Sequence, residues 1–169
     1  MKLRGREPYR PKGGKNGMFR GNFEHNLNGQ GRVSLPARFR QVLEERYSNK
    51  LVLVGLPDRI EAYPEEAYRK RELEDMDLPA DDPRVLQFLA VQHHNVFEVE
   101  VDGQGRILIP PKLRADLELK REVVFIGLMD RVLVFSPERW RSFLAEAKDK
   151  HAENGLLVSK LKNGKVGPG

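Results

Sequence analysis

Between residues 97 and 101 apolar and acidic side chains alternate: Phe97, Val99 and Val101 are interleaved with Glu98 and Glu100. A period of two predicts a strand with one buried face. Asp102-Gly103-Gln104-Gly105-Arg106 follows, a turn sequence suited to positive φ at its glycines. The short apolar stretch 107–109 then completes a predicted hairpin. Pro110 ends it, because proline cannot donate to a ladder, and it suits the first turn of a helix. That short helix carries Lys112, Leu113, Arg114 and Leu117. A buried apolar strand around 123–126, a Gly-Leu-x-Asp-Arg turn and a further strand, 132–135, come next. Ser136-Pro137-Glu138 offers a capping hydroxyl and a proline at the first helical position. The helix it opens is expected to pack Trp140 and Phe143 inward, with Arg139 and Arg141 outside.

The same series of elements occurs earlier in the chain. FEHNLNGQGRVSLPARFR at 23–40 aligns without a gap on FEVEVDGQGRILIPPKLR at 97–114, with eight of eighteen positions identical. The match continues over 50–68 and 122–140, where Gly55 meets Gly127, Asp58-Arg59 meets Asp130-Arg131 and Tyr68 meets Trp140. The first copy carries two extra residues near Tyr47 and Ser48. An internal repeat is evidence about architecture in its own right. Here it places an arginine, Arg32 or Arg106, after each of two equivalent turns. Function delivered through two matched loops is the natural expectation.

The rest of the chain divides around these copies. Residues 1–17 form a basic tail expected to be disordered. The first repeat spans 22–69, a linker and helix 70–95, the second repeat 96–139, a closing helix 140–150, and 151–169 a frayed end rich in Gly, Lys and Asn. Within the linker, Asp82-Pro83 opens a helix with Val85, Leu86, Phe88, Leu89 and Val91 at helical spacing. Its apolar face is expected to pack on the core or on a neighbouring subunit.

Composition narrows the function classes. The chain has 169 residues, 39% of them hydrophobic, and no cysteine. Disulfides and thiolate metal sites are thereby excluded, and a reducing cytoplasm is compatible. No apolar run approaches the ~20 residues that span a bilayer, so no membrane association is expected. The formal net charge of +5 resides wholly in the tail, where Lys2, Arg4, Arg6, Arg10, Lys12 and Lys15 stand against Glu7. Such a tail can hold phosphates by Coulomb attraction or serve as a solvated extension. The remainder of the chain is electrically neutral.

Candidate chemistry is sparse. His93 and His94 are adjacent, so on a helix they diverge by about 100° and make a poor metal pair. At a helix C-terminus they favour the dipole. His25 and Glu24 face opposite sides of a strand. Ser34 aligns with Leu108, which argues against a catalytic role shared by both copies. Gly-x-Gly without a third glycine or a following Lys-Ser/Thr is a weak phosphate-loop signal. Arg32 and Arg106 are the sharper candidates. A guanidinium on a rigid turn can read guanine O6 and N7 bidentately or clamp a phosphate. Pairing with Asn28 or Asp102 across the turn is the equal alternative. Arg38, Arg40, Lys112 and Arg114 nearby favour nucleic acid, though Arg40 and Arg114 can equally bond carboxylates such as Glu44 or Asp116.

Met18-Phe19-Arg20-Gly21, the Asn28–Arg40 segment and the Asp102–Arg114 segment together resemble the two halves of the MraZ family of bacterial transcriptional regulators. The resemblance covers roughly residues 18–148. It implies a mainly β, α+β fold in which two AbrB-like swapped-hairpin units interleave into one pseudo-twofold barrel. It also implies a homo-oligomeric ring that binds repeated G-rich boxes of double-stranded DNA upstream of the division and cell-wall gene cluster. The expected setting is the cytoplasm and nucleoid, with no catalytic residue, metal, cofactor or small-molecule substrate. A non-catalytic oligomeric scaffold and a small β-barrel enzyme are the alternatives. The DNA-binding residues implied are Asn28, Gln30, Arg32, Arg38, Asp102, Gln104, Arg106 and Lys112. The family's Asp-x-x-x-Arg signature carries over to Asp102 and Arg106, whereas Asn28 replaces the first aspartate and cannot ion-pair with Arg32. The expected division of labour is Arg32 for base contact and Arg106 for support or phosphate.

Overall fold

The computed structural model describes residues 17–165. The basic tail, apart from Gly17, lies outside the described residues. In chain order the elements are β1 (Phe19–Asn26), β2 (Arg32–Ser34), α1 (Ala37–Arg46), β3 (Lys50–Gly55), β4 (Ile60–Pro64), α2 (Glu65–Met76) and α3 (Pro83–His93). They continue as β5 (Val96–Glu100), β6 (Arg106–Leu108), α4 (Pro111–Asp116), β7 (Glu122–Met129), β8 (Arg131–Phe135), α5 (Pro137–Asp149) and α6 (His151–Lys165). The architecture is mixed α+β, with the two copies contributing equivalent strands to one body. Six strands form an antiparallel sheet in the order β1-β7-β8-β4-β3-β5, and β2 pairs with β6 in a separate ribbon.

Neither copy closes the local hairpin that its sequence predicts. β1 pairs over all eight residues with β7 of the second copy, and β5 pairs with β3 of the first. β2 takes β6 as its partner, with Arg32 opposite Leu108, Val33 opposite Ile107 and Ser34 opposite Arg106. Every strand-end group must find a partner once buried. Each tight loop bonds its Asn28 or Asp102 internally and offers a glycine carbonyl to the other copy, so the strands on either side remain open to that copy. The two halves thus complete each other's ladders rather than standing side by side.

The registers locate a pseudo-twofold axis. Val33 and Ile107 are equivalent positions of the two copies and face each other in the ribbon. Glu61 and Leu133 are likewise equivalent and face each other between β4 and β8. The main core lies between ribbon and sheet. It contains Val33, Leu35, Phe39, Ile107, Ile109, Leu113, Val123 and Phe125, each at most 4% exposed. Full burial of one such side chain contributes on the order of 1.5–3 kcal/mol. β1 lies against β2 and β5 against β6, which closes the barrel by packing. A smaller cluster, Val52, Val54, Leu56, Tyr63, Ala67 and Tyr68, sits on the outer face of the sheet under α2.

Three helical expectations change. Pro36 and Pro110 occupy the N-cap positions of α1 and α4, one residue earlier than a first-turn proline. Of residues 151–169, expected to fray, 151–165 form α6, an exposed helix whose good helix formers outweigh Gly155 and Gly164, and 166–169 lie outside the described residues. Phe143 packs beside Trp140 and Phe135, where α5 lies on β7 and β8, but stays 38% exposed. The Asp82 cap of α3 and the Ser136 cap of α5 form as their sequences predict.

On the pseudo-twofold axis the second copy places Leu133, and the first a buried carboxylate. Glu61 Oε1 lies 3.3 Å from Arg131 Nε, and Oε2 lies 3.7 Å from Arg59 Nη2. Arg59 and Arg131 are themselves equivalent residues, so both copies converge on one acid. Arg131 Nη1 donates to Tyr63 Oη at 3.0 Å, and Tyr63 Oη donates to Glu61 at 3.4 Å. Burial raises the Tyr63 pKa, and the Glu61 charge adds to that rise while Arg131 opposes it. Removing the acid leaves Arg131 with the Tyr63 hydroxyl in place of a carboxylate, while Arg59 keeps Asp58 Oδ1 at 2.8 Å from its Nη1. Glu61→Ala is expected to cost about 2–3 kcal/mol, measured as a shift in urea midpoint at unchanged m-value.

Candidate nucleic-acid interface

The two Gly-Gln-Gly-Arg turns have nearly the same hydrogen bonds. In the first, Asn28 N donates to Arg32 O (2.8 Å) and Gly31 N to Asn28 O (3.0 Å). Asn28 Oδ1 accepts from Gln30 N and Arg32 N, both at 2.9 Å. In the second, Asp102 N donates to Arg106 O (2.9 Å) and Gly105 N to Asp102 O (3.0 Å). Asp102 Oδ1 accepts from Gln104 N and Arg106 N, again at 2.9 Å. Asn28 therefore caps its turn as well as the aspartate does, because the bonds need only a carbonyl-type oxygen. Only the second glycine of each turn has positive φ, +84° at Gly31 and +75° at Gly105.

Each turn is buttressed from the opposite copy. Leu35 N donates to Gly105 O and Ile109 N to Gly31 O, both at 3.0 Å. The Arg114 guanidinium lies against Gly31 and the Arg40 side chain against Gly105, so close that a Cβ at either glycine would collide with it. Arg114 Nε also donates to Ile109 O at 3.0 Å. Arg40 and Arg114 thus back the opposite loop. Asp116, suggested as an Arg114 partner, is bonded instead by Lys112 Nζ (3.1 Å) and Asn95 Nδ2 (3.3 Å).

The side chains of the two turn arginines differ. Arg106 Nε donates to Asp102 Oδ2 at 3.1 Å, in an ion pair with both side chains one-third exposed. Arg32 Nη1 donates to the neutral Gln30 Oε1 at 2.7 Å. Both arginines nonetheless point to one side. Val33 and Ile107 are each 1% exposed beneath the ribbon. Alternation then puts Arg32, Ser34, Arg106 and Leu108 on its outer face. The two loops are one surface, with the arginines diagonal to each other at about 7–8 Å between backbone positions.

The remaining candidates sit around this face. Gln104 lies exposed at the second turn. Arg38 is exposed in the first turn of α1 and lines a groove with Arg20 and Gln41. Lys112, its counterpart on α4, has its charge engaged by Asp116, four residues on. The sequence reading missed two members of the outer face, Ser34 and Leu108, since their disagreement under alignment argued only against shared catalysis. It also missed that His93 ties two helices together. His93 Nε2 lies 2.8 Å from Asp75 Oδ2, and His93 Nδ1 lies 3.1 Å from Tyr68 Oη. Burial pushes the Tyr68 pKa up to about 12, with help from the charges of Glu72 and Asp75. His25 packs edge-on against Phe125. A cleft of about 490 Å³ is lined by Glu118, Lys120, Arg121 and Glu138 among others, none of them on the ribbon. Among the described residues no acidic or histidine group is arranged to hold a metal, and no helix is long and apolar enough to cross a membrane.

Two outcomes follow for the turns. Gly31→Ala and Gly105→Ala are each expected to destabilise by about 1–2 kcal/mol or more, from backbone strain and the arginine behind each residue. Gly29→Ala and Gly103→Ala, which meet open space, should change the thermal midpoint little. The second concerns pH. The backbone N–H of Arg106 leads the causes that lower the Asp102 pKa, joined by Gln104 N–H and the Arg106 guanidinium. A depressed folded pKa means that the stabilisation is present above the unfolded value of about 3.9 and is lost as pH falls through the folded one. Amide resonances of Gln104 and Arg106 should therefore titrate in acid, while those of Gln30 and Arg32 do not.

Comparison with known proteins adds a family to this geometry. Residues 18–89 and 94–158 match the family model described as "MraZ protein, putative antitoxin-like". The chain is 35% identical over 144 residues to a protein of Halothermothrix orenii, covering 85% of this chain and 99% of the relative. It is 36% identical over 140 residues to one of Desulforamulus reducens and 35% identical over 140 residues to one of Pediococcus pentosaceus, covering 81% of this chain and 96% of each relative. Each of the three is named Transcriptional regulator MraZ.

Proposed function

This chain belongs to the MraZ family, and from that premise we propose that it is a non-catalytic transcriptional regulator that reads double-stranded DNA through the β2–β6 ribbon. The observation that carries the reading is the outer face itself. Two arginines stand on one two-stranded ribbon whose inner residues are fixed in the core. A ribbon with strands about 4.8 Å apart fits a major groove about 12 Å wide. Arg32, with no carboxylate partner on its own turn, is assigned to guanine O6 and N7. Arg106, tied to Asp102, is assigned to support of the loop or to a phosphate. Gln30 and Gln104 flank the arginines, Asn28 and Asp102 shape the turns, and Arg38 and Lys112 flank the groove for backbone contacts.

A folded part with no net charge gives one subunit little electrostatic affinity. Several ribbons at fixed spacing bind repeated sites with the gain of multivalency. We therefore propose a homo-oligomeric ring on repeated G-rich boxes, with the division and cell-wall cluster as the site the family resemblance implies. The bare apolar residues of α2, α3 and α6 support self-association: Met76, Leu86, Phe88, Leu156 and Leu161 are each more than half exposed. The cytoplasm and nucleoid are the matching setting.

Gel shifts with a duplex of direct G-rich repeats and with its scrambled counterpart test this. Specific, salt-sensitive retardation is expected, with weaker binding to a single box. Arg32→Ala should weaken specific binding by about 10- to 100-fold while the oligomer persists on size exclusion, and Arg106→Ala should cost less. Equal affinity for both duplexes favours a scaffold whose assembly is its function. Loss of the oligomer on Arg32→Ala would make that arginine structural.

A further inference from the structure

We infer that Leu108 and Ser34 set the specificity of the ribbon, with Leu108 taking the C5-methyl group of a thymine beside the guanine that Arg32 reads. The inference rests on the ribbon reading above and assigns residues that reading left out. A perfectly twofold ribbon would present two identical couples across its strands. Instead Arg32 stands opposite Leu108, and Arg106 stands opposite Ser34. The arginines match between copies and their neighbours do not.

Leu108 lies between Ile107 and Ile109, which are 1% and 0% exposed, yet it is itself 39% exposed. The pleat holds it outward, and it cannot turn into the core without moving both neighbours. A lone surface leucine needs no special account. This one occupies the place directly across from Arg32, which has no acidic partner among the described residues. Opposed side chains on an antiparallel pair start about 4.5–5.5 Å apart, somewhat more than one base step of about 3.4 Å. A leucine so placed falls over the base pair next to the one Arg32 contacts. In the major groove the apolar group available at that depth is the thymine methyl, which projects beside the acceptors of a neighbouring guanine. On the other couple, the Ser34 hydroxyl donates or accepts and accommodates any base, next to an arginine already held by Asp102. One end of the ribbon is therefore strict and the other permissive. A chain with pseudo-twofold backbone symmetry reads a directional site.

The test uses the full chain and a randomised duplex library. Wild type should enrich sites with guanine and a neighbouring thymine. Leu108→Ala should keep the guanine and lose the thymine preference, while Ser34→Leu should gain a thymine preference at the opposite end. On the enriched wild-type duplex, replacing that thymine by deoxyuridine removes only the methyl group. Wild type should then bind about fourfold more weakly, the worth of one buried methylene-sized group. Leu108→Ala should not distinguish the two duplexes. Equal wild-type binding to both duplexes, or retention of the thymine preference by Leu108→Ala, overturns the inference with DNA reading intact. Failure of wild type to enrich any site, or enrichment of the same sites by Arg32→Ala, overturns the ribbon reading itself. The deoxyuridine comparison needs no variant, so it decides even if Leu108→Ala misfolds.

Discussion

The structure depends on the requirement that buried backbone groups be paired, met here by pairing across the repeat. β2 and β6 are three residues long, too short to stand alone, and among the described residues each has only the other as its ladder partner. Val33 and Ile107 at their centre are sealed from solvent. That contact fixes which face of the ribbon is inside, and so which four side chains are outside. The loops depend on the same exchange. Leu35 N bonds to Gly105 O, and Ile109 N bonds to Gly31 O. The Arg40 and Arg114 side chains, sent from opposite helices, lie behind the two glycines. Neither Gly-Gln-Gly-Arg turn is shaped by its own copy alone.

Duplication supplies a symmetric frame, and individual residues break it. On the axis of the sheet, Glu61 faces Leu133, and the two copies spend Arg59 and Arg131 on one acid. On the ribbon, Ser34 and Leu108 stand where symmetry would demand one residue type. At the turns Asn28 and Asp102 accept the same backbone bonds but differ in charge, so only Arg106 gains an ion pair. The backbone conserves its shape under these exchanges because the bonds that shape it require an oxygen of either kind. The side chains are released to differ. A gene duplication can therefore keep its fold while its two loops acquire different chemistry.

Much of this was legible in the residues. The two copies, the turns, the caps at Asp82 and Ser136 and the arginines as leading candidates all follow from local chemistry, since a cap or an Asx turn involves residues a few positions apart. The strand partners did not follow from local chemistry, and only the family resemblance implied that the two copies interleave. A short strand beside a tight turn suggests a hairpin, and only the competition between copies for the same ladder decides otherwise. The roles of Arg40 and Arg114 were hidden for the same reason, because Gly105 and Gly31 lie in the other copy. Gly155 and Asn154 suggested a frayed end, where the helix formers around them hold α6 together.

By itself the sequence determined that the chain is a duplicated α+β unit with an arginine after each of two matched turns, because repetition and turn chemistry are written in neighbouring residues. Tertiary structure alone decided that the two turns form one face, and that Leu108 and Ser34 belong to it. The stretches Val33-Ser34-Leu35 and Ile107-Leu108-Ile109 show the reason. A leucine between two isoleucines has no polar contrast to mark it as outward. Its side becomes known only when Ile107 meets Val33 across the ribbon and the pleat turns it toward solvent.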